Sequence, residues 1–284
     1  KNGEIELTSS LNEKTGLFEL TGFPEGADFD DIYTLFAVVY DMAGNSKEET
    51  LMFSLNRFGS KYTFSDGELL GNYTNKAKDV EVVEENIDQL EISKSRVVLL
   101  KDGKDVELDE SLVSVTEIEA EAGYNYIYGI KSGAFKSDGK YQVQVYSKAI
   151  EGTQYSNVSE EYEFVLDSKK PDIIISGIDN DGRYNAYEKT VSIDVRDTYG
   201  VRDIEVMLNG KRINVEKKDG IYSFNVRENK EKQYINVVAY DMAGNMSEKK
   251  VDGFYISSNA LQFLVNQLWF KIGVGAMLTF LGIL

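Results

Sequence analysis

The chain has 284 residues, 42% hydrophobic and 12% aromatic, with 48 acidic side chains against 31 basic ones and neither histidine nor cysteine. That length holds two or three domains and that composition a folded core. The net charge of −17 repels phosphate backbones and excludes nucleic acid as a partner, while the missing His and Cys exclude Ser-His-Asp and Cys-His nucleophiles, disulfides, thiolate chemistry and most zinc sites.

Residues 1–56 open on a polar stretch at Lys1 with no apolar export signal, so the chain is expected to be a piece of a longer precursor. The apolar run Leu35-Phe36-Ala37-Val38-Val39 leads into Tyr40-Asp41-Met42-Ala43-Gly44-Asn45, then a charged stretch, then an apolar run around Phe53. That reads as strand, tight turn, strand. Asp41 can accept backbone N–H bonds within its own turn, and Gly44-Asn45 supplies two residues tolerant of positive φ. Asp41, Gly44 and Asn45 are therefore structural turn residues. Four or five strands make this segment the C-terminal part of a domain.

Residues 57–168 follow as a full unit. Glu117, Glu119 and Glu121 alternate with apolar neighbours and read as a solvated strand face, with no cleft to make them a catalytic carboxylate pair. Tyr124, Tyr126 and Tyr128 share one face; core packing is the first reading, and an exposed sugar-binding aromatic face the alternative. Tyr141 to Tyr146 alternates like a half-buried strand. The turn after it, Ala149-Ile150-Glu151-Gly152-Thr153, is longer and less tightly specified than Ala-Gly-Asn.

Residues 169–257 carry the turn again. Tyr240-Asp241-Met242-Ala243-Gly244-Asn245 repeats the first copy letter for letter at an offset of 240 − 40 = 200 residues, and makes Asp241, Gly244 and Asn245 turn residues too. Strands are expected at Ile173–Ser176, Val191–Val195, Ile204–Leu208, near Ile213, and at Tyr222–Val226, Ile235–Tyr240 and Val251–Ile256. About seven short strands with turn signals every 8–12 residues is the pattern of a β-sandwich. Landmarks keep their order between units: Gly71-Asn72-Tyr73 with Gly182-Arg183-Tyr184, Lys101-Asp102-Gly103 with Leu208-Asn209-Gly210, Asp138-Gly139 with Asp219-Gly220. Asp179-Asn180-Asp181-Gly182 begins like a calcium loop, but the twelfth position is Thr190 rather than Glu, so the EF-hand reading fails. Asp179 and Asp181 remain weak candidates for a looser calcium site at a domain junction; no other cofactor is expected.

Residues 258–284 are the most apolar stretch. Leu261, Leu264, Val265, Leu268, Trp269 and Ile272 fall at helical spacing, and Trp269 and Lys271 mark a membrane headgroup level. The run from Ile272 to Leu284 is uncharged but short of a full span. It reads as the start of a C-terminal transmembrane helix that meets membrane lipid, the sandwiches lying outside the cell.

These residues resemble the bacterial Ig-like domains found in tandem in large surface proteins of Firmicutes. In that family a stretch like Lys170-Pro171-Asp172-Ile173-Ile174-Ile175-Ser176-Gly177 opens a domain, a Tyr-Asp-x-Ala-Gly-Asn turn comes near its close, and a Phe-bearing strand follows. The resemblance is good over 169–256, looser over 57–168, and confined to the C-terminal half in 1–56. It implies an all-β chain of tandem immunoglobulin-like sandwiches before an α-helical membrane segment. It also implies a non-enzymatic function, as an extracellular stalk or spacer tethering a distal domain. The alternative is an adhesin or carbohydrate-binding module that meets a host or cell-wall glycan or protein through the middle unit.

Overall fold

The computed structural model describes residues 3–120, 123–150 and 156–259. Among these there is no α-helix, only strands and single 3-10 turns. The chain divides into two compact units, one of residues 1–72 with 76–166 and one of 73–75 with 167–284.

The first unit begins with two hairpins. β1 (Thr8–Asn12) pairs with β2 (Leu17–Thr21), and β3 (Asp31–Tyr40) with β4 (Ser46–Leu55). Each is a separate two-stranded sheet. Phe23, Tyr33 and Phe53 pack ring against ring at the base of the second hairpin. Arg57 ties that base together by donating to Asp30 and to the Pro24 and Gly26 carbonyls.

A sandwich follows, made of β5 (Lys61–Phe64), β7 (Val80–Asn86), β8 (Arg96–Lys101), β9 (Lys104–Asp105), β10 (Val113–Glu119), β11 (Tyr124–Ile130), β12 (Gly139–Lys148), β13 (Ser156–Val158) and β14 (Tyr162–Leu166), while β6 (Tyr73–Thr74), on the same stretch of chain, belongs to the second unit. One sheet runs β10-β11-β7-β5 and the facing sheet includes β14-β12-β8-β9, with β13 also on β12. Strict alternation builds the core: along β12 every second residue from Gly139 to Ser147 is buried, and along β7 Val80, Val82, Glu84 and Asn86 point inward. Tyr126, Tyr128, Tyr141, Phe135 and Phe164 fill the space between the sheets.

The second unit contains β15 (Asp172–Ser176), β16 (Arg183–Tyr184), β17 (Glu188–Arg196), β18 (Val201–Leu208), β19 (Lys211–Arg212), β20 (Glu216–Lys218), β21 (Ile221–Arg227), β22 (Gln233–Asp241) and β23 (Met246–Ile256). Its sheets run β15-β17-β21-β20 and β16-β23-β22-β18-β19, with β16 parallel to β23 and the other pairs antiparallel. The short strand expected near Ile213 is β19, and Ile213 directly after it packs against the core. β23 carries one more residue than its partner: Ile235 faces Val251 but Gln233 faces Phe254, with Gly253 at φ +73°. This bulge is why Phe254 lies 254 − 53 = 201 residues after Phe53, while the turns are 200 apart.

Lettered in chain order, the second unit is an A-B-E-D sheet facing a sheet centred on G-F-C. That is the strand order of an immunoglobulin-like sandwich. The middle sandwich has the same order in β5-β7-β11-β10 and β14-β12-β8. The class of protein is thus defined by topology: repeated immunoglobulin-like domains.

Candidate functional site

The repeated turn closes through its aspartate. In the first copy Asp41 Oδ1 accepts from the Ala43 and Asn45 backbone N–H groups at 2.8 and 2.9 Å, and Oδ2 accepts from the Asn45 side-chain amide at 2.7 Å. The amide and backbone donors of Asn45 hold the Asp41 carboxyl below the usual carboxylate range. Gly44 and Gly244 both sit at φ +85°. Asn45 and Asn245 are not in the left-handed region, so the expectation of two positive-φ residues is corrected. The glycine turns the chain and the asparagine works through its amide.

In the second copy the same aspartate has a further setting. Asp241 accepts from the Asn245 N–H and from the Asn245 side-chain amide, both at 2.8 Å, and that amide also donates to the Asp167 carbonyl at 2.7 Å. Carboxylate oxygens of Asp167, Asp197 and Asp241 lie within 4.8 Å of one another. Asp167 and Asp241 are fully buried and Asp197 half-buried. Local bonds orient them: Asp167 Oδ1 accepts from the Lys169 N–H, and Asp197 Oδ1 from the Tyr199 and Gly200 N–H groups. Oxygens on opposite sides of one calcium ion are separated by roughly 5 Å, and the donors are hard carboxylates with no nitrogen or sulfur among them. The group fits Ca2+ or Mg2+ and does not suit zinc.

The corresponding place in the middle sandwich is built differently. Asn56 follows β4 as Asp167 follows β14, at an offset of 167 − 56 = 111 residues. Its side-chain amide donates to Asn86 Oδ1 and Asp88 Oδ2, both at 2.9 Å. One neutral amide there does the bridging that carboxylates cannot do for one another.

The middle sandwich also encloses a carboxylate in hydroxyls. Glu84 is fully buried on β7. Its Oε1 accepts from Ser60, Ser147 and Tyr62, and its Oε2 from Tyr128 at 2.6 Å. Asn86 adds a second ring of bonds, donating to Ser60 Oγ at 2.7 Å. Burial first, and the Glu84 charge second, raise the Tyr62 and Tyr128 hydroxyls far above the ordinary phenol range. Hydroxyl donors of this kind satisfy a buried anion without a cation.

Other candidates fall elsewhere. Asp179 accepts from the Tyr184 hydroxyl, and Asp181, at φ +53°, from Lys232 at 2.9 Å. Both are exposed turn residues outside the three-aspartate group. Glu117 is half-buried and takes a bond from Gln89, on the same face as Val115, while Ile118 points to solvent. At Glu117, then, the expected solvated position is half-buried instead. Tyr126 and Tyr128 are core residues, with the Tyr126 hydroxyl donated to by the Leu90 N–H. Tyr124 is half-buried against the same core, so these three rings form no exposed sugar-binding face. Glu121, most of the loop after Ala149, and Trp269 and Lys271 lie outside the described residues, as does the whole of 260–284. Among the described residues no helix is long and apolar enough to cross a membrane.

Sequence reasoning missed Asp167, Asp197 and Glu84. For Glu84 a signal existed, since it shares its strand face with Val80 and Val82. For Asp167 and Asp197 none did, because each reads as an ordinary acidic residue closing a strand.

No protein-family model matches the chain, and no curated protein matches it. Solved structures do. It is similar to the fibronectin(III)-like modules of Clostridium thermocellum CbhA, at 14% identity over 69% of this chain and 94% of that one, with a TM-score of 0.33. It is also similar to Rst D1–D2, at 12% identity over 70% and 100%, with a TM-score of 0.40. A third is from a 1.5-MDa bacterial ice-binding adhesin, at 14% identity over 80% and 74%, with a TM-score of 0.33.

Proposed function

We propose that this chain is a non-catalytic spacer of a bacterial surface protein, with tandem immunoglobulin-like sandwiches holding a distal domain away from the membrane. One observation carries the reading. Two consecutive sandwiches repeat one strand plan, each with its own core, and only the residues between Leu166 and Asp172 separate the last strand of one from the first of the next. Self-contained modules in series lengthen a chain stepwise, whereas an enzyme needs convergent groups in a cleft. The distinctive polar groups of the middle sandwich serve its interior: Glu84, Asn86 and Ser147 bond inward rather than presenting a reactive face.

In this proposal residues 260–284 continue into a membrane anchor, with Trp269 and Lys271 at the headgroup level. Intact cells treated with protease should release fragments carrying the Ala-Gly-Asn repeat, and the full-length protein should leave membranes only with detergent. Release by high salt, or protection of the repeat until cells are broken, overturns the reading.

A further inference from the structure

The Asp179-Asn180-Asp181-Gly182 segment, whose sequence begins like a calcium loop, joins the opening of the last domain to its final strand. Asn180 Oδ1 accepts from the Asp252 N–H at 2.8 Å, and the Asp181 N–H donates to the Asp252 carbonyl at 2.9 Å. The ladder continues from there: the Tyr255 N–H donates to the Gly182 carbonyl at 2.8 Å and the Ser257 N–H to the Tyr184 carbonyl at 3.1 Å. The fit is close at the bulge of β23. A Cβ on Gly253 would lie 2.5 Å from Asp181 Oδ1, and Gly253 itself sits at φ +73°. Lys232 Nζ, 2.9 Å from the same Asp181 oxygen, and the Tyr184 hydroxyl, which accepts from the Asp179 N–H at 2.7 Å, hold the segment in place. Four hydrogen bonds thus make one clasp between the start and the end of the domain.

Its direction gives the clasp a consequence under tension. β16 runs parallel to β23, with Arg183 facing Tyr255 and Tyr184 facing Ile256. A pull on the two ends of the domain draws β16 by its N-terminal side and β23 by its C-terminal side, so the two strands slide past each other. Evenly spaced bonds that lie across a sliding direction are loaded together, whereas strands parted from one end lose them singly. β15, an edge strand, precedes the clasp and is stripped from β17 before tension reaches it. β23 is held on its other side by β22 from Met246 to Phe254, so the shorter β16 side yields before that one. We propose that the clasp bears load: it keeps the last domain folded when the chain is pulled from its ends. The inference rests on the spacer reading for the source of the pull. It is measured on the purified chain, so release from membranes by salt would sink that reading and leave the clasp standing.

The chain has no cysteine of its own, so two introduced ones fix where it is held. With Lys170→Cys and Ser258→Cys, the full chain is pulled along the last domain. With Lys170→Cys and Asp219→Cys it is pulled across the β15-β17-β21-β20 sheet, because Asp219 lies in the turn from β20 to β21 at the end where Asp172 faces Arg196. All three positions are exposed. The lifetime of the folded domain at one fixed tension is read in both directions. Four bonds breaking together rather than singly should make the lengthwise lifetime longer by about a hundredfold. Asn180→Ala removes one of them and should shorten the lengthwise lifetime about fivefold while leaving the crosswise one as it was. Asn180→Asp, which keeps an acceptor oxygen, should leave both unchanged. The proposal is overturned if the two directions give equal lifetimes, or if Asn180→Ala spares the lengthwise lifetime or shortens both alike.

Discussion

Replacing Glu84 with leucine should destabilise the first unit by about 2–4 kcal/mol, although it removes a buried charge. The magnitude follows from the hydroxyls left behind. Tyr128 and Ser147 are both buried and both donate to Glu84. A buried donor without an acceptor costs about 1–3 kcal/mol, so these two contribute roughly 2–6. Ser60 and Tyr62 are only half-buried, and the Tyr62 hydroxyl lies 3.5 Å from Ser147 Oγ, so neither is fully stranded. The leucine returns about 1.5–3 kcal/mol of apolar burial. Loss of the charge assistance in these bonds is offset by relief of the carboxylate's desolvation cost. The balance stays on the side of loss because four donors converge on one acceptor group. Glu84→Gln keeps the shape and one acceptor oxygen, and should cost less. Urea unfolding followed by tyrosine fluorescence reads the difference. A Glu84→Leu protein as stable as the parent, within about 0.5 kcal/mol, would refute the claim that the hydroxyls depend on this carboxylate.

Three further outcomes are expected. Asp197→Asn keeps the oxygen that caps Tyr199 and Gly200 but removes one of three close negative charges; at an effective dielectric near 20 each such pair repels by about 3 kcal/mol. Partial exposure of Asp197 reduces this, so in chelator the variant should melt with about 1–2 kcal/mol more stability, an advantage that millimolar calcium should erase if the ion occupies the site; a variant no more stable in chelator contradicts the repulsion. Gly244→Val should cost about 1–3 kcal/mol in thermal melts of the last domain, because nothing lies within 4 Å of the added carbon and the penalty comes from φ +85° itself. In alkali, burial pushes the Tyr126 hydroxyl up to about 12 and raises Tyr62 and Tyr128 further; a raised folded value means full stability below the unfolded phenol value near 10, lost as pH climbs through the folded ones. Tyrosinate absorbance in the middle sandwich should therefore appear together with unfolding, and gradual ionisation without unfolding would contradict the buried settings.

Much of the architecture is legible in local chemistry. Alternation of apolar residues marks the strands, because a pleated strand presents every second side chain to the same side. The Tyr-Asp-Met-Ala-Gly-Asn string marks a tight turn, because its glycine and its aspartate act on atoms within a few residues. The same local chemistry is blind to outcome at Glu117, which is half-buried while its apolar neighbour Ile118 is exposed. It is blind again at Asn45, whose backbone does not need the left-handed conformation its residue type tolerates.

What the sequence determined by itself is periodicity, turn position and the repeat, all of which depend on neighbours along the chain. Tertiary structure decided which polar groups meet. Asp167, Asp197 and Asp241 lie 197 − 167 = 30 and 241 − 197 = 44 residues apart, and they converge only because strand ends from both sheets reach one end of the sandwich. Glu84 meets Ser60, Tyr62, Tyr128 and Ser147 from three other places in the chain. Even the contrast between Asp41 and Asp241, identical in their six-residue strings, belongs to the fold: Asp41 stands exposed on a two-stranded hairpin, and Asp241 is buried at the end of a sandwich, beside two more carboxylates.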